Sequence, residues 1–346
     1  MFSVEQLMIP VWDTEVIYDE ALTMVRSNGV CEAPLLFMPL EILKVTSADK
    51  TKEYEEGIDY EVEGNIFRLT ENSRIFAFEE NELIFETEQP NGTTYPTVDG
   101  KWSLLQGGHY FHDRQIEVTY KKAKTESEFT VDFCGHLLPK TMKKLQNKEP
   151  LKIVLFGDSI SEGSNSSGRM MTTPFLPVWG QLLALKLGQH YETTVNLINT
   201  AKGGMDSLWA IENASELAGK HKPDLAIIAF GMNDREEADK FAKNLEKIKE
   251  IILEDSPETE FILCATTAAN PIIRMPGWYI HQDAYRETVL ALEEPGTAIA
   301  DFNSMQKYLM KAKRYIDLTG NNVNHPNDFM ARCHAHVIAD MLIKRR

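Results

Sequence analysis

Ser159 lies in the run Ile153-Val-Leu-Phe-Gly-Asp-Ser159-Ile-Ser-Glu-Gly163, whose short apolar stretch stops at a Gly-Asp-Ser turn. A serine at the carboxyl end of a buried strand can project its hydroxyl into a crevice where a general base reaches it, which is the placement a nucleophile needs. Gly-Asp-Ser is also ordinary turn chemistry, so the tripeptide alone decides little. Three further blocks follow in order: Asn199-Thr-Ala-Lys-Gly-Gly204, Gly231-Met-Asn233-Asp234 and His325-Pro326. Together they supply a hydroxyl, an imidazole, a side-chain amide and glycine-rich backbone.

These four blocks resemble the SGNH (GDSL-like) hydrolase family over roughly the C-terminal two hundred residues. By motif position the resemblance implies Ser159, Gly204, Asn233 and His325 as site residues. Attack on an ester carbonyl requires loss of the hydroxyl proton, and a neutral imidazole with a reference pKa near ~6.5 suits that task, so His325 is the expected base. The backbone N–H groups of Ser159 and Gly204 and the amide of Asn233 could together stabilise a tetrahedral oxyanion. Members of the family usually carry aspartate three residues before the histidine; here that position is Asn322, in Asn321-Asn-Val-Asn-His325. A Ser-His dyad, with Asn322 or a backbone carbonyl orienting the ring, is the expectation. Asp317 and Asp328 are the other carboxylates near His325 in sequence, and Asp328 is expected to cap the last helix.

Each residue also has a plain structural reading. Gly204 could merely permit a turn, Asn233 could cap a helix, and Asp158 and Asp234 read as turn or cap residues. His109 and His112 face oppositely if they lie on a strand, and no obvious partner completes a metal set for them or for Cys333, His334 and His336. No metal and no cofactor is therefore expected. The loop Glu162-Gly-Ser-Asn-Ser-Ser-Gly168 lacks the Gly-Lys-Ser/Thr ending of a phosphate-binding loop and reads as the mouth of the crevice.

The elements that must position these residues change character along the chain. Before about residue 135, segments such as Leu35-Leu-Phe-Met, Glu41-Ile-Leu-Lys-Val-Thr, Asn65-Ile-Phe-Arg-Leu, Glu82-Leu-Ile-Phe-Glu and Gln115-Ile-Glu-Val-Thr-Tyr are short and punctuated by turn residues. They predict an all-β sandwich, jelly-roll-like. Leu137 to Pro150 reads as a connector, which places a boundary near 145 and gives a 1–145 β-sandwich accessory domain and a 146–346 hydrolase domain. Beyond it, predicted strands at Lys152 to Phe156, Thr194 to Asn199, Asp224 to Phe230, Glu260 to Ala265 and Thr297 to Asp301 alternate with helices at Trp179 to Leu187, Glu236 to Leu253, Asp283 to Leu292 and Phe329 to Ile343. Nearly continuous apolar strands alternating with helices imply a parallel sheet covered on both faces, a flavodoxin-like α/β/α domain. In that arrangement Ser159, Gly204 and Asn233 all follow strands at the same sheet edge.

A formal net charge of −16 over 346 residues argues against nucleic acid and anionic lipid as partners. No apolar run approaches the ~20 residues that span a bilayer, and the amino-terminal segment lacks a basic-then-apolar leader, so a cytoplasmic location is expected. Cys31, Cys134, Cys264 and Cys333 are scattered and read as reduced thiols. The sequence is compatible with a homo-oligomer. The expected activity is that of a serine esterase acting through an acyl-enzyme. Resemblance to two-domain carbohydrate esterases makes O-acetylated saccharides the expected substrates, with a lysophospholipase or thioesterase, or a non-catalytic binding protein of the same fold, as alternatives.

Overall fold

The computed structural model describes residues 3–123, 128–274 and 281–344; Met1 and Phe2 of the amino-terminal segment lie outside them. Five strands, Leu151–Gly157, Val195–Asn199, Leu225–Ala229, Glu260–Ala265 and Thr297–Asp301, form one wholly parallel sheet. In chain order the strands are arranged 2-1-3-4-5, the flavodoxin-like order, whose switch point lies between the first and third strands.

Side chains of a strand alternate between its faces, and in the four strands other than the edge strand Val195–Asn199 both faces are buried. Ile153, Leu155, Leu225, Ile227, Ile262 and Cys264 enter one core with Leu182, Phe329 and Met341. Val154, Phe156, Ala226, Ile228, Phe261 and Leu263 enter the other with Phe241, Ile248 and Tyr285. The helix Ala238–Asp255 buries Phe241, Leu245, Ile248 and Ile252, the three- and four-residue spacing of a single apolar face.

The segment Leu137 to Pro150 contains a packed helix, Pro139–Gln146, which buries Thr141, Met142 and Leu145. Its first N–H groups, on Lys140 and Thr141, donate to the Glu260 carboxylate at 2.9 and 2.7 Å, filling orphan donors that no earlier turn could satisfy. The helices Ser207–Leu217 and Phe302–Leu309 also join the layers without a strong sequence signal.

The amino-terminal region is β-rich. Its three small sheets have strand pairs that are antiparallel except for Val25–Ser27 with Phe78–Glu79. One expected strand falls elsewhere and another is shortened: Leu35 to Met38 is an irregular bend after the strand Val30–Pro34, and of the segment from Glu82 to Glu86 only Ile84–Phe85 is a strand, Glu82 and Leu83 ending a one-turn helix. This region is knitted into the α/β layers. Trp12 Nε1–H donates to Asp340 at 2.9 Å, and the fully buried Lys313 ammonium pairs with Glu20 at 2.6 Å. No helix among the described residues is long and apolar enough to cross a membrane.

Candidate active site

The first parallel strand ends at Gly157, and Asp158 caps the one-turn helix Ser159–Glu162 by accepting the Ile160 N–H at 2.9 Å. Burial pushes the Asp158 carboxyl up to about 7, against the stabilising N–H groups of Ile160 and Met232. Asp158 thus ties the first loop to the third, which carries Met232. It acts as the cap that its residue type suggests.

The other loops are cross-linked in the same way. Asp234, raised to about 6 mainly by burial, accepts from the backbone N–H of Ser207 at 3.0 Å and from its hydroxyl. The Asn233 amide donates to the Met205 carbonyl at 3.0 Å. An amide nitrogen carries two hydrogens, so this bond leaves one for a ligand. Gly203 N–H donates to Glu162 at 3.0 Å, and a Cβ on Gly203 would lie 3.7 Å from that of Ser159, which brings the second loop against the first. Gly204 has φ +78°, a left-handed conformation that glycine adopts without steric cost, and the space a side chain would take is open.

His325 comes from the far end of the chain. Its loop is wound around Asn321, whose side-chain oxygen accepts the N–H groups of Val323, Asn324 and His325 at 2.9, 3.0 and 3.0 Å. The imidazole Nε2 lies 3.0 Å from Ser159 Oγ. Its Nδ1 lies 2.6 Å from Asn165 Oδ1. Ser159 is 5% exposed, and desolvation lowers the His325 pKa to about 4, partly opposed by the nearby Glu162 charge. The imidazole is therefore a neutral group at neutral pH.

Asn322 does not touch the imidazole. At φ +65° the chain turns its side chain toward the amino-terminal region, where it donates to Ser103 Oγ at 3.1 Å and Leu104 O at 3.0 Å and accepts from Asn270 at 3.2 Å. The residue against Nδ1 is instead Asn165, 160 positions from His325, and no spacing in the sequence signals it. Asp317 binds Arg314 at 2.8 Å and the Thr23 N–H at 2.9 Å. Asp328 is the first residue of the last helix and receives the Ser167 N–H at 2.8 Å, while Asn327 provides the cap through the Met330 N–H.

The remaining histidines are engaged elsewhere. His109 pairs with Asp113 at 2.6 Å, and His112 opens a one-turn helix, not a strand, with Nε2 donating to the Thr173 carbonyl at 2.7 Å. His334 packs against Trp179 and Phe302, and His336 meets the Leu7 carbonyl. Among the described residues, no three His, Cys, Asp or Glu side chains are grouped to hold a metal ion. A cavity of about 780 Å³, lined by Asp19, Lys50, Glu117 and Arg332 among others, lies apart from Ser159.

Residues 155–332, just over half of the chain, match the model of the GDSL-like lipase/acylhydrolase family. The chain belongs to that family. The matched span holds Ser159, Gly204, Asn233 and His325 and leaves the amino-terminal β-rich region outside. No curated protein matches the chain. Among solved structures, it is similar to a two-domain esterase active on acetylated mannans, at 19% identity over 60% of this chain and 53% of that one, with a TM-score of 0.48. It is also similar to an acetylxylan esterase from Geobacillus stearothermophilus, at 18% identity over 55% of this chain and 93% of that one, TM-score 0.43. A third is an α/β hydrolase from the metagenome of Lake Arreo, Spain, at 17% identity over 56% and 97%, TM-score 0.45. The chain spans about half the length of the two-domain esterase.

Proposed function

We propose that this GDSL-like family member is a serine esterase that hydrolyses small esters through an acyl-enzyme. The observation that carries the reading is the 3.0 Å contact between His325 Nε2 and Ser159 Oγ. A neutral imidazole at hydrogen-bond distance can take the hydroxyl proton as Oγ bonds to the ester carbonyl carbon. The imidazolium then returns that proton to the departing alkoxide, and the carbonyl re-forms as an acyl-serine. Water, deprotonated by the same ring, attacks the acyl-serine, releases the acid and restores Ser159.

Negative charge develops on the carbonyl oxygen in both steps. The backbone N–H groups of Ser159 and Gly204 and the unused hydrogen of the Asn233 amide are the donors this reading assigns to it. Their three loops are braced by Asp158, Asp234 and Glu162, so the donors need little reorganisation as charge appears.

Glu162, which ends the one-turn helix that Ser159 begins and pairs with Arg169 at 2.9 Å, and Asn165, which meets His325, line this part of the site with polar groups. Such polar surroundings favour a hydrophilic alcohol over a long acyl chain, and we assign O-acetylated sugars or oligosaccharides as substrates. In the same reading, residues 1–145 form the accessory β-domain and 146–346 the hydrolase domain. Acetate release from a panel of acetylated saccharides, compared between wild type and Ser159→Ala, tests reaction and substrate together. Release that depends on Ser159 supports the assignment. A strong preference of the enzyme for long-chain acyl esters would defeat it.

A further inference from the structure

We infer that Asn165, its amide oriented by the Gly108 carbonyl of the amino-terminal region, holds His325 in the tautomer that accepts the Ser159 proton. Asn165 is thus a positioning residue supplied by neither motif nor sequence neighbourhood. The inference rests on the esterase reading for its kinetic consequence. The tautomer itself follows from geometry.

One chain of hydrogen bonds fixes the tautomer. The Gly108 carbonyl can only accept, and the Asn165 side chain meets it at 2.6 Å, so the end facing Gly108 must be the NH₂ group. Oδ1 is therefore the end that faces His325 Nδ1 at 2.6 Å. An amide oxygen can only accept, so Nδ1 carries the hydrogen. Neutral imidazole has one N–H, which leaves the Nε2 lone pair directed at the Ser159 hydroxyl 3.0 Å away.

Asparagine suits this place better than aspartate. Its side chain donates on one side and accepts on the other, whereas a carboxylate would put an acceptor oxygen against the Gly108 carbonyl. The position is also rigid. Asn165 is buried with φ +65°; Ser166 Oγ donates to Gly163 O at 2.6 Å, and Ser167 is held by Asp328 at 2.8 Å. A Cβ on Gly320 would lie 2.6 Å from the Asn165 Cβ, so the Asn165 and His325 loops meet without room between them. The amino-terminal region touches this assembly a second time, where His112 donates to the Thr173 carbonyl at 2.7 Å.

The test joins spectroscopy to kinetics on the full chain. In ¹⁵N-histidine NMR at neutral pH, with the His325 signal identified by its loss in His325→Gln, wild type should show a proton on Nδ1 and a bare Nε2. Asn165→Ala should lose that bias and reduce kcat on p-nitrophenyl acetate by ~10²–10⁴ with KM little changed, the scale seen when a serine-hydrolase histidine takes the wrong tautomer. Asn165→Asp keeps an acceptor against Nδ1–H and adds charge, so it should move the acidic limb of kcat/KM to higher pH. A merely structural role would not produce that shift. A wild-type His325 protonated on Nε2, or an Asn165→Ala enzyme with unaltered kcat and spectrum, overturns the inference. Should Asn165→Ala fail to fold, the wild-type spectrum and the Asp variant still decide. A protein that shows the Nδ1–H tautomer yet hydrolyses no ester would instead refute the esterase reading and leave the positioning role intact.

Discussion

His325 Nε2 and Ser159 Oγ lie 3.0 Å apart although 166 positions separate them in the chain. Two separate parts of the fold bring them together. The parallel sheet delivers Ser159 to its carboxyl edge, and the loop before the last helix, wound on Asn321, delivers His325 to the same crevice. The distance therefore reports on the whole α/β architecture.

A pH dependence follows from the burial of His325. Its conjugate acid is held down to about 4, and a general base works only in its neutral form, which exists above that value. Hydrolysis should stay level from neutral pH down to about one unit above the shifted value, then fall. A kcat/KM profile on a non-ionising ester checks this. An acidic limb near the ordinary histidine value would mean that the ring is better solvated than the structure places it.

Replacing Asn233 by Ala should lower kcat by ~10²–10³ if its amide stabilises the oxyanion. The loss should fall on kcat more than on KM, because the interaction strengthens as charge develops. The Met205 carbonyl would also lose a donor at 3.0 Å, so thermal unfolding should be measured beside the kinetics. An unchanged kcat would remove Asn233 from the site.

Asn322 makes a contrasting case. Its buried amide bonds Ser103, Leu104 and Asn270, so Asn322→Ala leaves polar partners unsatisfied, at about 1–3 kcal/mol per buried group. Urea unfolding should register a loss of stability. Active-site titration should show that each folded molecule keeps nearly wild-type turnover. A fall in kcat as large as that of His325→Ala would contradict the placement of Asn322 away from the ring.

Much of this was legible in the sequence. The five parallel strands and four of the helices announce themselves by apolar runs and by the spacing of residues such as Phe241, Leu245, Ile248 and Ile252, because burial on two faces or one leaves a periodic mark. Turn-forming types at strand ends located Ser159, Gly204 and Asn233 on one sheet edge. The partner of Nδ1 was not legible. Asn165 lies in a Ser-rich loop whose composition fits any turn, and only tertiary packing against Gly108 and Gly320 gives it a role. The helix Pro139–Gln146 was masked by its lysines and prolines, and its stability draws on Glu260, more than a hundred residues away.

The amino-terminal region should stand or fall with the α/β layers. Lys313 Nζ is fully buried and bonds Glu20 at 2.6 Å and the carbonyls of Ala21 and Pro34 at 3.1 Å. Lys313→Met would strand the Glu20 carboxylate without its cation, a change that costs roughly 3–5 kcal/mol when a buried pair is broken from one side. Chemical denaturation should show that loss. A variant as stable as wild type would mean that the Leu36 N–H and the Tyr120 hydroxyl, at 2.8 and 2.6 Å, suffice for Glu20.

The most direct test of the account is reaction with a serine-directed phosphonate, followed by mass spectrometry of the intact chain and its peptides. A base at 3.0 Å should make Ser159 reactive, so one adduct per chain should form there, be absent in Ser159→Ala and form far more slowly in His325→Ala. A wild-type protein that stays unlabelled, or that carries its label on another residue, would contradict the assignment of Ser159 and His325 as nucleophile and base.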